Sequence, residues 1–211
     1  MSKTLLVASR NQKKLAELRR ILDVAGIAGI TLVGLGDVEP YTESPETGET
    51  FEQNALAKAR DGAQATGLAC VADDSGLEVA ALHGMPGVLS ARWSGEHGDD
   101  DANNRLLLGQ LRDVTGERRS GAFVSACALV VPDGVETVVR GTWKGRIATQ
   151  AYGEGGFGYD PIFIPNEALP VEEGGTPRTA AQMTADEKDA VSHRGQALRK
   201  LVPALAHWAS S

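Results

Sequence analysis

Three short apolar runs, separated by two segments of helical pattern, leave this chain few ways to fold. Residues 3–8, 30–35 and 68–72 read as buried strands. Between the first two, Leu15, Leu18, Leu22 and Ala25 recur at spacings of three and four, which makes residues 12–25 a helix with Gly26 as its stop. Between the second and third, residues 41–49 form a Pro/Gly/Thr/Glu loop. Residues 50–66 then read as a helix, with Thr50 as N-cap and Gly67 as C-terminal signal. Such alternation predicts an α/β fold whose ligands sit beyond the carboxyl ends of the strands.

The second half changes character. Residues 99–112 read as a helix. Residues 121–131 and 136–147, rich in Val, Ala, Thr and Trp, flank the turn signal Pro132-Asp133-Gly134 and predict an antiparallel hairpin. Residues 148–174 are glycine-rich and irregular, with 166–178 read as a loop. Residues 186–208 have helical pattern, with breaks expected at Ser192 and near Pro203. With no internal repeat and no linker, residues 1–211 are expected to form one α/β body with a β-rich lobe. Cys70 and Cys127 each sit alone in an apolar run, which predicts buried, reduced thiols.

Composition narrows the class of partner. At 211 residues, 42% hydrophobic and 23% charged, the chain is globular and long enough to bury a substantial core. A formal charge of −7 supplies no basic face for nucleic acid or an anionic membrane, so an anionic ligand must be held by a local set of donors. A small molecule fits better than a polymer. The N-terminal apolar run is too short for a signal sequence, and no stretch approaches the roughly 18 apolar residues of a membrane span. The expected address is the cytoplasm.

Two polar stretches sit where strands should end. Ser9-Arg10-Asn11-Gln12-Lys13-Lys14 places hydroxyl, amide and ammonium groups at a helix start, where unpaired N–H groups favour an anion. Asp73-Asp74-Ser75-Gly76 places carboxylates where a turn is expected to separate them, since strand alternation would send them to opposite faces. Oxygen donors of this kind suit Mg²⁺. Glu46-Thr47-Gly48 adds a further carboxylate, and Asn54 and Lys58, four residues apart, share a helix face behind it. Taken singly, each stretch also reads as a capped helix, an Asx turn or a solvated face.

Two further segments suit a flat ligand. Gly155-Gly156-Phe157-Gly158-Tyr159-Asp160-Pro161 surrounds two aromatics with glycines, and Phe157 is the candidate stacking platform. Ser192-His193-Arg194, following Lys188, offers donors that complement the O6 and N7 acceptors of a 6-oxopurine and mismatch the amine of adenine. A buried aromatic plug and a helix cap with two solvated cations are the plainer readings.

Together these segments resemble the inosine triphosphate pyrophosphatase family, also called dITP/XTP diphosphatases. The matching stretches are Ser9-x-Asn11-x-x-Lys14-x-x-Glu17, Glu46-Thr47-Gly48-x-Thr50-Phe51-x-x-Asn54-Ala55-x-x-Lys58-Ala59, Ala72-Asp73-Asp74-Ser75-Gly76-Leu77, Pro86-Gly87-Val88-x-Ser90-Ala91-Arg92, the Gly155–Pro161 segment and Glu187-Lys188-x-x-x-Ser192-His193-Arg194-Gly195. They keep the family's order and span nearly the whole chain. The resemblance departs at Ala181-Gln182-Met183, where the family often carries Glu at the middle position.

The resemblance implies a mixed central sheet flanked by helices, two lobes around a nucleotide-binding cleft, and a homodimer. It implies Mg²⁺-dependent hydrolysis of ITP, dITP and XTP to monophosphate and pyrophosphate, which clears deaminated purines from the nucleotide pool. Asp74 would be the catalytic acid/base residue and a metal ligand, with Glu46 the second ligand. Ser9, Arg10, Asn11, Gln12, Lys13, Lys14 and Lys58 would handle the triphosphate. Ser75, Phe157, Gly158, Tyr159, Asp160, Lys188, His193 and Arg194 would contact sugar and base. Other classes remain open at this stage: a nucleotide sensor without turnover, a phosphatase with an aspartyl nucleophile, and a pyrophosphatase for pyrimidine or methylated nucleotides.

Overall fold

The computed structural model describes residues 2–167 and 177–211, with only the backbone described for residues 185, 186 and 189. Residues 168–176, most of the expected 166–178 loop, lie outside the described residues. The elements are β1 (Lys3–Val7), α1 (Gln12–Val24), β2 (Ile30–Gly34), α2 (Phe51–Thr66), β3 (Ala69–Val79), α3 (Asp100–Gln110), β4 (Ser120–Val130), β5 (Glu136–Ile147), β6 (Phe163–Pro165), α4 (Ala185–Val191) and α5 (His193–Ser210). Among the described residues, six strands form one mixed sheet in the order β2-β1-β3-β4-β5-β6. β1 is parallel to both β2 and β3, and β5 is antiparallel to β6. The α/β class with a helix-flanked mixed sheet is therefore as the sequence predicts.

The chain divides into two compact units: Met1–Asp74 with Ser125–Gly141 and His193–Ser211, and Ser75–Val124 with Thr142–Ser192. In the first unit β1 lies between two parallel neighbours, and its consecutive residues Leu5 and Leu6, which point to opposite faces of the sheet, are both fully buried. Leu15, Leu18 and Leu22 of α1 and Leu198, Leu201 and Leu205 of α5 share one core with Leu5. Asn11 caps α1 by accepting from the Lys13 N–H, and Thr50 caps α2 by accepting from Gln53. Gly67 ends α2 in the left-handed conformation that its lack of Cβ permits. α5 runs tightly over β5, because any side chain at Gly141 would overlap the His193 carbonyl. The second unit has its own core, in which Phe163 packs on Phe123 and Trp143 at centroid distances of 4.6 and 5.3 Å.

Three expectations are corrected. β3 does not stop at Ala72 but continues to Val79, so no turn separates Asp73 from Asp74; both are strand residues. The irregular region 148–174 contains the short strand β6, which pairs with β5 through Gly145↔Pro165, Arg146↔Ile164 and Ile147↔Phe163. Pro203 lies inside α5 without ending it. It sits on the exposed side, while Leu201 and Leu205 on either side of it are fully buried, and that packing outweighs one missing backbone bond. The break at Ser192 is present, and Cys70 and Cys127 are buried free thiols. Among the described residues, no helix is long and apolar enough to cross a membrane.

Candidate active site

Parallel pairing builds the site of the first unit. Val7 of β1 aligns with Val71 of β3, and the Ala8 N–H donates to the Val71 carbonyl. Continuing both strands by two residues brings the Ser9 loop beside Asp73. There Ser9 Oγ accepts from the Asn11 N–H and Asn11 Oδ1 accepts from the Lys13 N–H, which fixes the start of α1. Lys14, in the first turn of α1, donates to both oxygens of Asp73 at 2.9 Å. Arg194, the second residue of α5, donates to Asp73 Oδ2 from Nε and Nη2 at 3.2 Å each, and lies 3.8 Å from Glu17. Burial alone would raise the Asp73 pKa, but Arg194 and then Lys14 reverse the effect and hold it well below the usual carboxylate range.

Asp74, facing the other way along the strand, gathers a different set. Lys58 donates to Asp74 Oδ1 at 2.9 Å and pairs with Glu46 Oε1 at 2.5 Å. Asn54, buried one helical turn before Lys58, donates to Asp74 Oδ2 at 3.1 Å. The Asn54 side-chain oxygen Oδ1 accepts from the Gly48 N–H at 2.8 Å, which ties the Glu46 loop to the helix. Gly48 is required there, since a Cβ would come within 2.6 Å of that oxygen. Burial raises the Asp74 pKa, and Lys58 and Asn54 offset it only in part, so the net shift is upward. Lys58 is raised despite burial, because Asp74 and Glu46 both face its ammonium.

The second unit holds a separate cluster. Asp160, 2% exposed, accepts from the Phe157 N–H at 2.8 Å and pairs with Lys188. The Lys188 ammonium also lies 4.6 Å from the Phe157 ring centroid. Phe157 itself is 64% exposed, so it is a presented ring and not a core plug. Gly158 is gripped from both sides: its N–H donates to Asp100 at 2.7 Å and its carbonyl accepts from Asn104 at 2.9 Å. Tyr159 is buried, and its hydroxyl donates to the Ser90 carbonyl at 2.9 Å. Ser90 Oγ in turn accepts from the Leu77 N–H, so the Pro86–Arg92 motif braces β3 and the aromatic loop.

Lys14 and Arg194 meet on Asp73; Lys58, Glu46 and Asn54 meet around Asp74; Phe157, Asp160 and Lys188 meet in the second unit. Arg10, Gln12 and Lys13 are exposed, and Arg10 pairs with Glu43 at 2.6 Å instead of with the cluster. Ser75 is a half-buried residue of β3, and His193 is buried at the start of α5. Asp73, Glu17, Asp100 and Asn104 are participants to which the sequence assigned no separate role. Gln182 supplies its amide oxygen to the Thr179 N–H at 3.0 Å, a bond that needs no charge. A cavity of about 970 Å³ in the second unit, against Arg119, Lys144 and Arg146, is lined by none of the expected site residues.

An α/β fold that sets lysines, an arginine and adjacent carboxylates at the end of a parallel strand pair suits a phosphate-bearing ligand. The comparisons agree. The family model described as the Ham1 family matches residues 5–204. A dITP/XTP pyrophosphatase of Nocardia farcinica is 71% identical over 201 residues, covering 95% of this chain and 94% of the relative. The crystal structure of a nucleoside-triphosphatase / dITP/XTP pyrophosphatase from Mycobacterium abscessus is 63% identical, with a TM-score of 0.80 and coverage of 96% of this chain and 99% of that one. The structure of the Staphylococcus aureus Ham1 protein, 37% identical, superposes with a TM-score of 0.85 over 98% of this chain and 100% of that one. The chain belongs to the Ham1 family.

Proposed function

We propose that this protein hydrolyses the triphosphates of deaminated purines, ITP, dITP and XTP, to monophosphate and pyrophosphate. It would do so as a single catalytic domain, working in the cytoplasm as a homodimer to cleanse the nucleotide pool. The observation that carries the reading is the gathering of Lys14, Lys58 and Arg194 on two adjacent carboxylates, in a chain whose relatives bear the name dITP/XTP pyrophosphatase.

The carboxylates fit Mg²⁺. Glu46 and Asp74 already converge on one cationic atom, Lys58 Nζ, at 2.5 and 2.9 Å. Among the described residues no group of three or more His, Cys, Asp or Glu side chains converges, so the remaining oxygens would come from water and phosphate, as Mg²⁺ commonly arranges. When bound, the ion supplies neutralisation of phosphate charge.

The chain's own residues do the rest. Lys14 and Lys58 neutralise the triphosphate, with the α1 start from Ser9 to Lys14 presenting N–H groups to it. Asp74 orients the attacking water and takes its proton at the carboxylate, and its raised pKa suits a base. Phe157, braced by Asp160 and Lys188, is the stacking ring for the base, and His193 and Arg194 donate to a 6-oxo group.

The test is product analysis with Mg²⁺ and, separately, ITP, XTP, GTP and ATP. Monophosphate and pyrophosphate from ITP and XTP, with GTP and ATP nearly untouched, is the expected result. Orthophosphate as product, or equal attack on all four, would overturn the proposal. Sedimentation of the purified protein tests the dimer.

A further inference from the structure

Lys58 stands at a point on which Glu46 and Asp74 converge. Its ammonium lies 2.5 Å from Glu46 Oε1 and 2.9 Å from Asp74 Oδ1, and it also donates to the Asp73 carbonyl at 3.3 Å. The second Asp74 oxygen is engaged by Asn54 at 3.1 Å. Each Asp74 oxygen thus accepts from one protein donor, and it is the Lys58 ammonium, standing between Asp74 Oδ1 and Glu46 Oε1, that holds the place a divalent ion shared by the two carboxylates would take. Lysine suits an exchange of partners: its charge is a compact point on a flexible stem.

We propose that Lys58 is an internal cation that competes with the divalent metal for Glu46 and Asp74, so that metal enters together with the nucleotide and not before it. This rests on the reading in which those two carboxylates hold the metal. Glu46 and Asp74 share the Lys58 ammonium, which balances part of the negative charge that would attract a metal. An arriving triphosphate changes the balance, because Lys58 moves to phosphate oxygens without losing an ionic partner. The carboxylates it releases then face the ion that the nucleotide brings. Lys58 is thus a positioning residue that couples the two ligands. It discourages a bare metal ion from occupying the carboxylates and stabilises the triphosphate once it has moved.

The consequence runs against simple intuition, since removing a substrate-binding lysine should improve metal binding. Mn²⁺ is the probe, with the free ion counted by electron paramagnetic resonance at pH 8 and no nucleotide present. Lys58→Met is expected to bind Mn²⁺ more tightly than the wild type by roughly 5–150-fold, the usual range for coupling between two ligands. Lys58→Arg, which keeps a cation there, should remain close to wild type. Adding the non-hydrolysable α,β-imido analogue of ITP should raise Mn²⁺ affinity in the wild type and do so less in Lys58→Met, which has no ammonium to displace; by reciprocity Mn²⁺ should raise the affinity for the analogue by the same factor in each protein.

Equal or weaker Mn²⁺ binding by a folded Lys58→Met protein overturns the competition, and so does binding that Glu46→Gln leaves unchanged. Circular dichroism checks folding. If Lys58→Met fails to fold, Lys58→Gln carries the same measurement with a polar side chain. The outcome is separable from the proposed activity: wild-type protein that cleaves ITP while Lys58→Met shows no gain defeats only the competition. A gain in Mn²⁺ affinity with no cleavage of ITP defeats only the activity.

Discussion

Asp73 and Asp74 are neighbours in one strand yet hold different cations, Lys14 and Arg194 on the first and Lys58 on the second. Strand alternation sends their side chains to opposite faces. Their environments also push them apart. The fold favours the ionised form of Asp73, whereas burial of Asp74 is not fully compensated and disfavours its charge. The ionised form is therefore held more firmly at Asp73 than at Asp74.

Asp73→Asn removes the common acceptor of two cations that are mostly buried, with Lys14 and Arg194 side chains 23% and 16% exposed. Breaking one side of such an arrangement costs about 3–5 kcal/mol. Chemical denaturation should show a loss of that order. A double-mutant cycle with Arg194→Met should be non-additive by roughly 0.5–3 kcal/mol. Additive losses would mean that the two residues do not interact.

Asp74→Asn should behave in the opposite way. The substitution deletes a charge that burial penalises, and Lys58 keeps Glu46 as its partner. The midpoint of unfolding should stay near wild type or rise, while pyrophosphate release from ITP falls by about 10²–10⁴-fold, the usual contribution of a general base. Near-normal turnover in a folded variant would remove Asp74 from the mechanism.

Phe157→Ala tests the stacking role without touching a core. The ring is 64% exposed, so unfolding should barely change. A base–aromatic stack is worth about 1–3 kcal/mol, so KM for ITP should rise by roughly 5–150-fold with a smaller change in kcat. An unchanged KM would reduce Phe157 to a cover for Lys188.

What the sequence made legible was local. Asn11, Thr50 and Gly67 announce helix ends because capping is settled within a few residues, and Pro132-Asp133-Gly134 announces the hairpin for the same reason. The continuation of β3 was not legible: Asp73-Asp74-Ser75-Gly76 carries turn-forming residues, and only the buried cations and neighbouring strands make strand geometry the better choice. β6 has too few residues to show a period, and it ends in proline. Glu17 looks like any acid on a helix face until Arg194, far away in the chain, is placed beside it. The grip of Asp100 and Asn104 on Gly158 spans more than fifty residues and leaves no local signal. Recurring motifs carried the remainder, since a family pattern records such distant contacts without explaining them.

A last prediction concerns pH and lies away from the carboxylates. Burial pushes the Cys70 thiol from its ordinary value of 9.0 up to about 12. The folded protein thus keeps this proton at pH values where the unfolded chain has lost it. The neutral thiol's contribution to stability is complete below about pH 9 and declines as pH rises toward 12, by up to about 1.4 kcal/mol per pH unit. Cys70→Ala removes that titration but leaves a small cavity, because the sulfur fills the space beside Gly62. At pH 8 the variant should be less stable by about 1 kcal/mol. Urea unfolding at pH 8, 9 and 10, at constant ionic strength, should show the difference shrinking and then reversing, because Cys127 and the tyrosines titrate in both proteins and cancel. Parallel stability profiles for the two proteins would mean that the thiol is not held neutral by its burial.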